Sequence, residues 1–175
     1  AADTLEMVYP ESKYVKALRK EAQKRLNQME LFARVSTAET VDFLEIELPD
    51  QNGKKVKLSD VHNKVTLVYF WTASDAAQKM FNLDALLPVY EKYHSKGFEI
   101  YQVSLDHNEH FWKTAVENLP WVCVRDEEAP YCQSANLYGV LELPTYFLIN
   151  RAGELVKRDT MVEDLEKELE QLLAE

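Results

Sequence analysis

Glycine and cysteine are scarce in this sequence, which has four glycines and two cysteines among 175 residues. It contains no glycine-rich phosphate loop and no G-x-S-x-G nucleophile motif. Its two cysteines, Cys123 and Cys132, are too few for a disulfide framework, and their spacing matches no zinc-site pattern. These absences argue against phosphate-loop enzymes and against small domains held together by disulfides or zinc.

Long apolar runs and an excess of basic charge are also missing. No stretch approaches the ~18 apolar residues of a membrane span, and none has the pattern of a signal peptide. The chain carries 30 acidic and 20 basic residues, for a net charge of −10, which opposes non-specific binding to nucleic acid or to an anionic membrane. We therefore expect no nucleic-acid partner.

The apolar content that is present, 46% of the residues, suffices for the core of one domain. We predict that domain over residues 37–175, after a lead-in and an amphipathic helix within residues 1–36. The helix is predicted from Ser12, a plausible cap, to about Arg34. Such a helix either connects to an upstream domain or packs on its own domain, and the pattern favours neither. Its apolar residues at helical spacing are Val15, Leu18, Ala22, Leu26, Met29 and Phe32.

The most informative stretch is Lys64 to Met80, in which an almost unbroken apolar run from Val65 to Trp71 leads into a helical pattern that starts at Asp75. The run is typical of a parallel strand covered on both faces. Around it we predict alternating strands and helices, which indicate a mixed sheet with helices on both faces. The other predicted strands are Val41–Leu48, Lys54–Leu58, Phe98–Leu105, Trp121–Val124, Thr145–Asn150 and Glu154–Asp159. The predicted helices are Asp75–His94 with a kink near Pro88, Asn108–Asn118, Tyr131–Tyr138 and Val162–Leu173.

Two segments resemble the TlpA/ResA-type thiol–disulfide oxidoreductases, which have the thioredoxin fold and are related to the AhpC/TSA group. FWTASDAAQ resembles their FWAxWCxxC turn, and GVLELPTYFLINRAGELVKRD resembles their segment around a cis-proline. The resemblance covers about Val41 to Leu173. It implies a thioredoxin-like three-layer α/β sandwich with an added N-terminal helix, an ancestry in thiol–disulfide exchange, and a periplasmic or cell-envelope location in bacteria. A signal, or an anchor that tethers the protein to the membrane, is then expected upstream of Ala1.

The same resemblance places the two catalytic cysteines at Asp75 and Gln78, so that the usual dithiol mechanism is lost. Asp-x-x-Gln at a helix start is a variant of the capping box, and we interpret the pair mainly as a helix cap. Asp75 as a ligand contact or general base is the alternative. Tyr69 and Phe81 stand where relatives keep buried acids for proton transfer, which agrees with a loss of dithiol chemistry.

Pro144 is the part of the family's site that this sequence retains. The resemblance implies a cis Leu143-Pro144 bond facing the helix that starts at Asp75, either as a binding surface for an extended peptide or because the backbone turn requires it. We predict a protein or peptide partner in this groove, lined by Trp71, Ser74, Asp75, Leu143, Pro144 and Tyr146. A structural domain inside a larger envelope protein is a further possibility.

An enzymatic alternative uses Cys123 and Cys132 as a relocated redox pair, in a thiol oxidoreductase or peroxidase-type antioxidant activity. Buried, inert thiols are the other interpretation. The peroxiredoxin frame T-x-x-C occurs at Thr72 but ends in Asp75 instead of cysteine.

The run from Asp106 to His110 contains metal-ligating residue types, with His107 and His110 at the spacing of one helix face. Asp106 and Asn108 are also ordinary capping residues, and no third partner is apparent. We predict no metal and no cofactor.

Overall fold

The computed structural model describes residues 13–36, 41–128, 132–159 and 164–175. The helices are α1 Lys13–Ser36, α2 Leu58–Val61, α3 Ala76–Phe81, α4 Leu87–Tyr93, α5 Glu109–Val116, α6 Gln133–Leu137 and α7 Leu165–Ala174. The strands are β1 Val41–Asp42, β2 Glu47–Pro49, β3 Lys55–Lys57, β4 Val65–Trp71, β5 Phe98–Ser104, β6 Val122–Arg125, β7 Thr145–Ile149 and β8 Glu154–Asp159.

Six of these strands form one sheet, in the order β1-β8-β7-β4-β5-β6. β4, β5 and β6 are parallel, whereas β7 runs antiparallel to β4 and β8 antiparallel to β7. All seven residues of β4 are buried, because this strand lies inside the sheet with apolar layers on both faces. The predicted mixed sheet with helices on both faces is confirmed.

The side chains of the sheet alternate between two apolar layers, as the pleat of a strand requires. The first layer contains Tyr69 and Trp71 and is covered by α4, α5 and α7. The second layer contains Phe70 and Phe147 and is covered by α2 and α6. Neighbouring residues of β4 therefore belong to opposite layers.

The single strand predicted from Val41 to Leu48 is wrong, because the segment divides into β1 and β2. β1 pairs with β8, and β2 forms a separate hairpin with β3. Between them, the hydroxyl of Tyr138 accepts a hydrogen bond from the Leu44 amide and donates one to the Leu44 carbonyl. A side chain thus takes the place of a neighbouring strand at Leu44, and the ladder is interrupted there.

The predicted helix from Asp75 is continuous but irregular. A π-helical segment, Asn82–Leu86, joins α3 to α4, and the Leu87 amide bonds the Asn82 carbonyl five residues back. Pro88 lies just after the π-helical segment and has no N–H to donate to the preceding turn, so the irregularity lies next to the proline. Gly97, with φ +105°, ends the helix after the 3₁₀ turn His94–Lys96, as predicted.

α1 packs on its own domain, against α6 and β8, and Val15 of its apolar stripe is buried. Gln28 is buried against Gly139, where an added Cβ would lie 2.8 Å from the Gln28 Cα. Leu26 and Met29, on the predicted apolar stripe, are 59% and 70% exposed. At these two positions the apolar stripe therefore does not face the domain. The proposed cap Ser12 lies outside the described residues. Among the helices described, none is both long and apolar enough for a transmembrane span.

Candidate functional site

The carboxyl ends of the parallel strands meet at one end of the sheet. The register pairs Trp71 with Ser104 and Ser104 with Arg125, which are the last residues of β4, β5 and β6. β7 begins at the same end, since Thr145 pairs with Phe70. The loops that leave this end carry four of the predicted site residues: Ser74, Asp75, Leu143 and Pro144.

Asp75 is the N-cap of α3, as predicted. Its Oδ1 accepts hydrogen bonds from the amides of Ala77 at 2.8 Å and Gln78 at 3.3 Å. The Gln78 side chain donates to Asp75 Oδ2 at 3.2 Å and accepts from the Thr72 amide at 2.9 Å. In a capping box the second side chain would bind the amide of the cap residue itself. Here Gln78 closes the preceding turn instead, so the two residues fix both the helix start and the loop before it.

Asp106 holds the same loop in place from the protein interior, and this residue is only 2% exposed. One carboxylate oxygen accepts from Thr72 Oγ1 at 2.6 Å and from Ser74 Oγ at 2.9 Å. The other accepts from the Ala73 amide at 2.7 Å and from Ser104 Oγ at 2.5 Å. Burial by itself would raise the pKa of Asp106, but these hydrogen bonds together lower it below its ordinary value. The carboxylate is therefore ionised and fully engaged in holding the loop.

Sequence reasoning missed this role of Asp106, which it treated as a cap or a metal ligand. The actual cap of α5 is Asn108, which accepts from the Phe111 amide at 2.9 Å. His107 and His110 are exposed, and the described residues contain no group of three potential metal ligands. Thr72 directly follows β4 and Ser104 ends β5. These two hydroxyl residues at neighbouring strand ends could have indicated a buried hydrogen-bond acceptor between them.

Two residues predicted to line the groove, Trp71 and Tyr146, are completely buried. They lie in the first layer of the sheet, and a partner docking on the surface cannot reach them in this conformation. Ser74 and Asp75 are exposed, and Leu143 and Pro144 are half-buried. The bond between Leu143 and Pro144 is cis.

Beside this bond, Leu141 is 69% exposed and adds an apolar side chain that sequence reasoning did not include. The accessible site thus consists of a polar loop and an apolar segment.

The hypothesis of a redox pair formed by Cys123 and Cys132 is contradicted by their positions. Both are free and buried, with Cys123 in the first layer and Cys132 in the second. The sheet separates the two sulfur atoms, which would have to approach within bonding distance to form a disulfide. Burial also raises the pKa of both thiols, that of Cys132 to about 12, so neither is a ready nucleophile.

Comparison with known proteins agrees with this architecture. The model of the AhpC/TSA family matches residues 41–158. The thiol-disulfide oxidoreductase ResA of Bacillus subtilis (strain 168) is 34% identical over 137 residues, which cover 74% of this chain and 73% of ResA. Human nucleoredoxin is 30% identical over 120 residues, 67% of this chain but 27% of that protein.

Solved structures are also similar to this chain. The solution structure of a thioredoxin-like protein from Bacteroides vulgatus has 45% identity and a TM-score of 0.69, and the match covers 76% of this chain and 87% of that one. The C-terminal domain of a thiol-disulfide oxidoreductase from Bacteroides thetaiotaomicron has 26% identity and a TM-score of 0.67, covering 76% and 94% of the two chains.

Proposed function

This chain belongs to the AhpC/TSA family and is a thioredoxin-like relative of thiol–disulfide oxidoreductases, and from that premise we propose that it is a redox-inactive member. Its role is to bind an extended peptide or a partner protein at the end of the sheet where Asp75 and Pro144 lie. The observation that carries the proposal is the state of Asp75. A carboxylate that caps α3 occupies the place where the family resemblance puts the attacking cysteine, and it has no thiol chemistry to offer.

The remaining thiols support the redox-inactive part of this proposal. A dithiol reaction needs two sulfur atoms that can approach each other and one of them as a thiolate. Cys123 and Cys132 lie in different layers, and burial keeps both protonated. The enzymatic alternative therefore loses its reactive groups.

The surface around Pro144 supports the binding part. Leu141 is largely exposed next to the half-buried pair Leu143 and Pro144, and across the end of the sheet Ser74 and Asp75 present polar groups. An extended peptide can pair with backbone at a site of this kind while an apolar side chain contacts Leu141. Asp75 adds a negative charge, so a peptide with a basic residue on that side is favoured.

We extend the proposal to location, in the periplasm or cell envelope of a bacterium. Its support is the resemblance to TlpA/ResA-type proteins. There, the protein would bind a partner of the same compartment without changing the redox state of any thiol.

The test is a peptide-binding measurement. A random peptide library displayed on phage is selected on the wild-type protein, and the enriched peptide is titrated by calorimetry. Leu141→Asp is expected to weaken binding at least about tenfold, equivalent to ~1.4 kcal/mol, because it removes the apolar contact and adds a charge. The matched control is Leu26→Asp, since Leu26 is similarly exposed on α1, and it should bind as the wild type does.

The double variant Cys123→Ala, Cys132→Ala separates binding from thiol chemistry. It should bind the peptide with unchanged affinity, and the wild type should show no reversible two-electron step in glutathione buffers between about −120 and −270 mV. The proposal would be contradicted if Leu141→Asp left the affinity for the selected peptide unchanged. It would also be contradicted if the double cysteine variant bound the peptide more weakly than the wild type.

A further inference from the structure

The helix α1 turns polar residues toward its domain and apolar residues away from it. Gln28 is buried against Gly139. Lys24 and Asn27, on the same side of the helix, are half-buried. Leu26 lies two residues from both Lys24 and Gln28, which places it about 200° around the helix axis from each. A surface helix that packs only on its own domain has the reverse arrangement, with its apolar side inward.

The outward side carries a row of exposed apolar side chains. The stripe starts at Val15, which is buried, and continues with Leu18, Leu26 and Met29, which are 41%, 59% and 70% exposed. Ala22 lies between them and is exposed as well. Spacings of three and four residues put these side chains on one face over about three turns. A single exposed leucine is ordinary on a protein surface, but a row of this length indicates an interaction surface.

The charge around this stripe has the opposite sign to that of the chain. Residues 15–30 contain five basic and two acidic residues, a net charge of +3, whereas the whole chain carries −10. Arg19 and Arg25 border the stripe on its two sides, because each lies seven residues, about two turns, from one of its leucines. Arg25 pairs with Glu21 at 3.5 Å, but both side chains are exposed, and such a pair holds an arginine only weakly.

Charge and shape decide which partner the stripe fits. A second copy of α1 would bring two positively charged helices together, and like charges oppose that contact. An anionic lipid surface attracts Lys and Arg and accepts apolar side chains between its headgroups. It also needs no groove that matches a convex helix. The net charge of −10 opposes adsorption of the chain as a whole, but charges more than about 8 Å from the lipid are largely screened at physiological ionic strength.

We propose that α1 is a membrane-docking helix that lays its outward stripe, residues 18–29, on an anionic lipid surface. Leu18, Leu26 and Met29 enter the boundary between headgroups and acyl chains, and Arg19 and Arg25 contact lipid phosphates. This function is separate from peptide binding, which is proposed for the end of the sheet and does not use the stripe.

Co-sedimentation with lipid vesicles tests the docking. The wild type is expected to bind vesicles of phosphatidylglycerol and phosphatidylcholine in equal parts, and not vesicles of phosphatidylcholine alone. Added salt should weaken the binding, because the attraction is partly electrostatic. Leu26→Asp is expected to reduce binding at least about tenfold, since it removes an apolar contact and adds a negative charge. Leu26→Gln removes the contact without adding charge and should have a smaller effect.

Matched controls separate the stripe from general surface properties. Leu83→Asp changes a leucine of similar exposure, 51%, in the π-helical segment and should bind vesicles as the wild type does. The double variant Arg19→Glu, Arg25→Glu should lose binding, whereas Lys54→Glu, Lys55→Glu makes the same change of charge at exposed residues outside α1 and should retain most of it. Circular dichroism verifies that each variant keeps its helix content.

Two results would overturn the proposal. One is equal vesicle binding by Leu26→Asp and Leu83→Asp. The other is a wild type that stays in the supernatant with both kinds of vesicle. If that wild type instead formed a dimer that Leu26→Asp dissociates, the stripe would belong to a contact between two copies of the chain. The Leu26→Asp variant should keep its affinity for the selected peptide in every case, so failure of one proposal is distinguishable from failure of the other.

Discussion

The loop Thr72–Asp75 and the segment Leu141–Pro144 lie at the same end of the sheet but are held in place in different ways. The loop is bound through its backbone and hydroxyls to the buried carboxylate of Asp106, and its last residue caps α3. The segment exposes Leu141 and half-buries the residues of its cis bond. One side of the site is thus fixed by a charge in the interior, and the other side offers apolar surface to the exterior.

This difference suits the proposed binding role. A fixed polar loop costs little conformational entropy when a partner docks, because its side chains are already hydrogen-bonded. An exposed apolar segment supplies contact area that is removed from water on binding. Asp106 itself is buried and holds the loop from inside the protein.

The largest expected effect comes from removing the anchor of the loop. Asp106→Ala leaves the hydroxyls of Thr72 and Ser104 and the amide of Ala73 without their acceptor, so we expect the free energy of unfolding to fall by about 3 kcal/mol. Urea unfolding measures this change. Hydrogen exchange should accelerate at Ala73 and Ser74 and remain unchanged at Thr145 in β7, since only the loop loses its support.

The control for this variant is Asp84→Ala, which removes an exposed carboxylate and should change stability by no more than about 0.5 kcal/mol. If Asp106→Ala is no more costly than the control, or if exchange accelerates equally at Thr145, the two sides of the site are not held differently.

An intermediate effect is expected from acidification. The pKa of Asp106 is lowered in the folded state from its ordinary value of 3.8, so the unfolded chain takes up this proton more readily than the folded protein. Its contribution to stability is therefore complete above that ordinary pKa and is lost as the pH falls through the folded pKa. Urea unfolding at decreasing pH, from about 6 to about 2, should show a steeper loss for the wild type than for Asp106→Asn. Parallel profiles for the two proteins would contradict this assignment.

The smallest expected effect concerns the cap itself. Asp75→Ala removes the acceptor of the Ala77 and Gln78 amides and should cost about 1 kcal/mol in urea unfolding, the usual contribution of an N-cap. Asp75→Ser, which keeps a capping oxygen, should recover most of that loss. A serine variant as unstable as the alanine variant would mean that Asp75 stabilises the loop by some means other than capping.

Much of the fold could be predicted because local pattern and burial agree. The apolar run Val65–Trp71 is a central strand, Gly97 ends the following helix, and Asp75 caps that helix. Predictions were less successful where the structure depends on contacts with residues that are distant in the sequence. Val41–Leu48 alternates as a strand should, yet Tyr138, more than ninety residues later, takes up the backbone groups of Leu44.

The site shows the same division. Ser74, Asp75, Leu143 and Pro144 lie at the same end of the sheet, because the end of β4 and the start of β7 are neighbours in the ladder. The burial of Trp71 and Tyr146 could not be inferred from a motif, since a motif gives position along the chain and not the depth of a side chain. The apolar pattern of α1 likewise does not show that Val15 is buried while Leu26 is exposed.

The sequence by itself determined the class of fold, the start of α3 and the absence of a cysteine pair at that start, because these depend on residues that are close in the chain. Only the tertiary structure decided that Cys123 and Cys132 lie on opposite sides of the sheet. It also brought Asp106 beneath a loop more than thirty residues earlier. The register of β6 sets the face on which Cys123 lies, and a one-residue shift would reverse it. Cys132 and Asp106 lie outside the strands, so their positions depend on how α6 and the chain after β5 pack against the sheet.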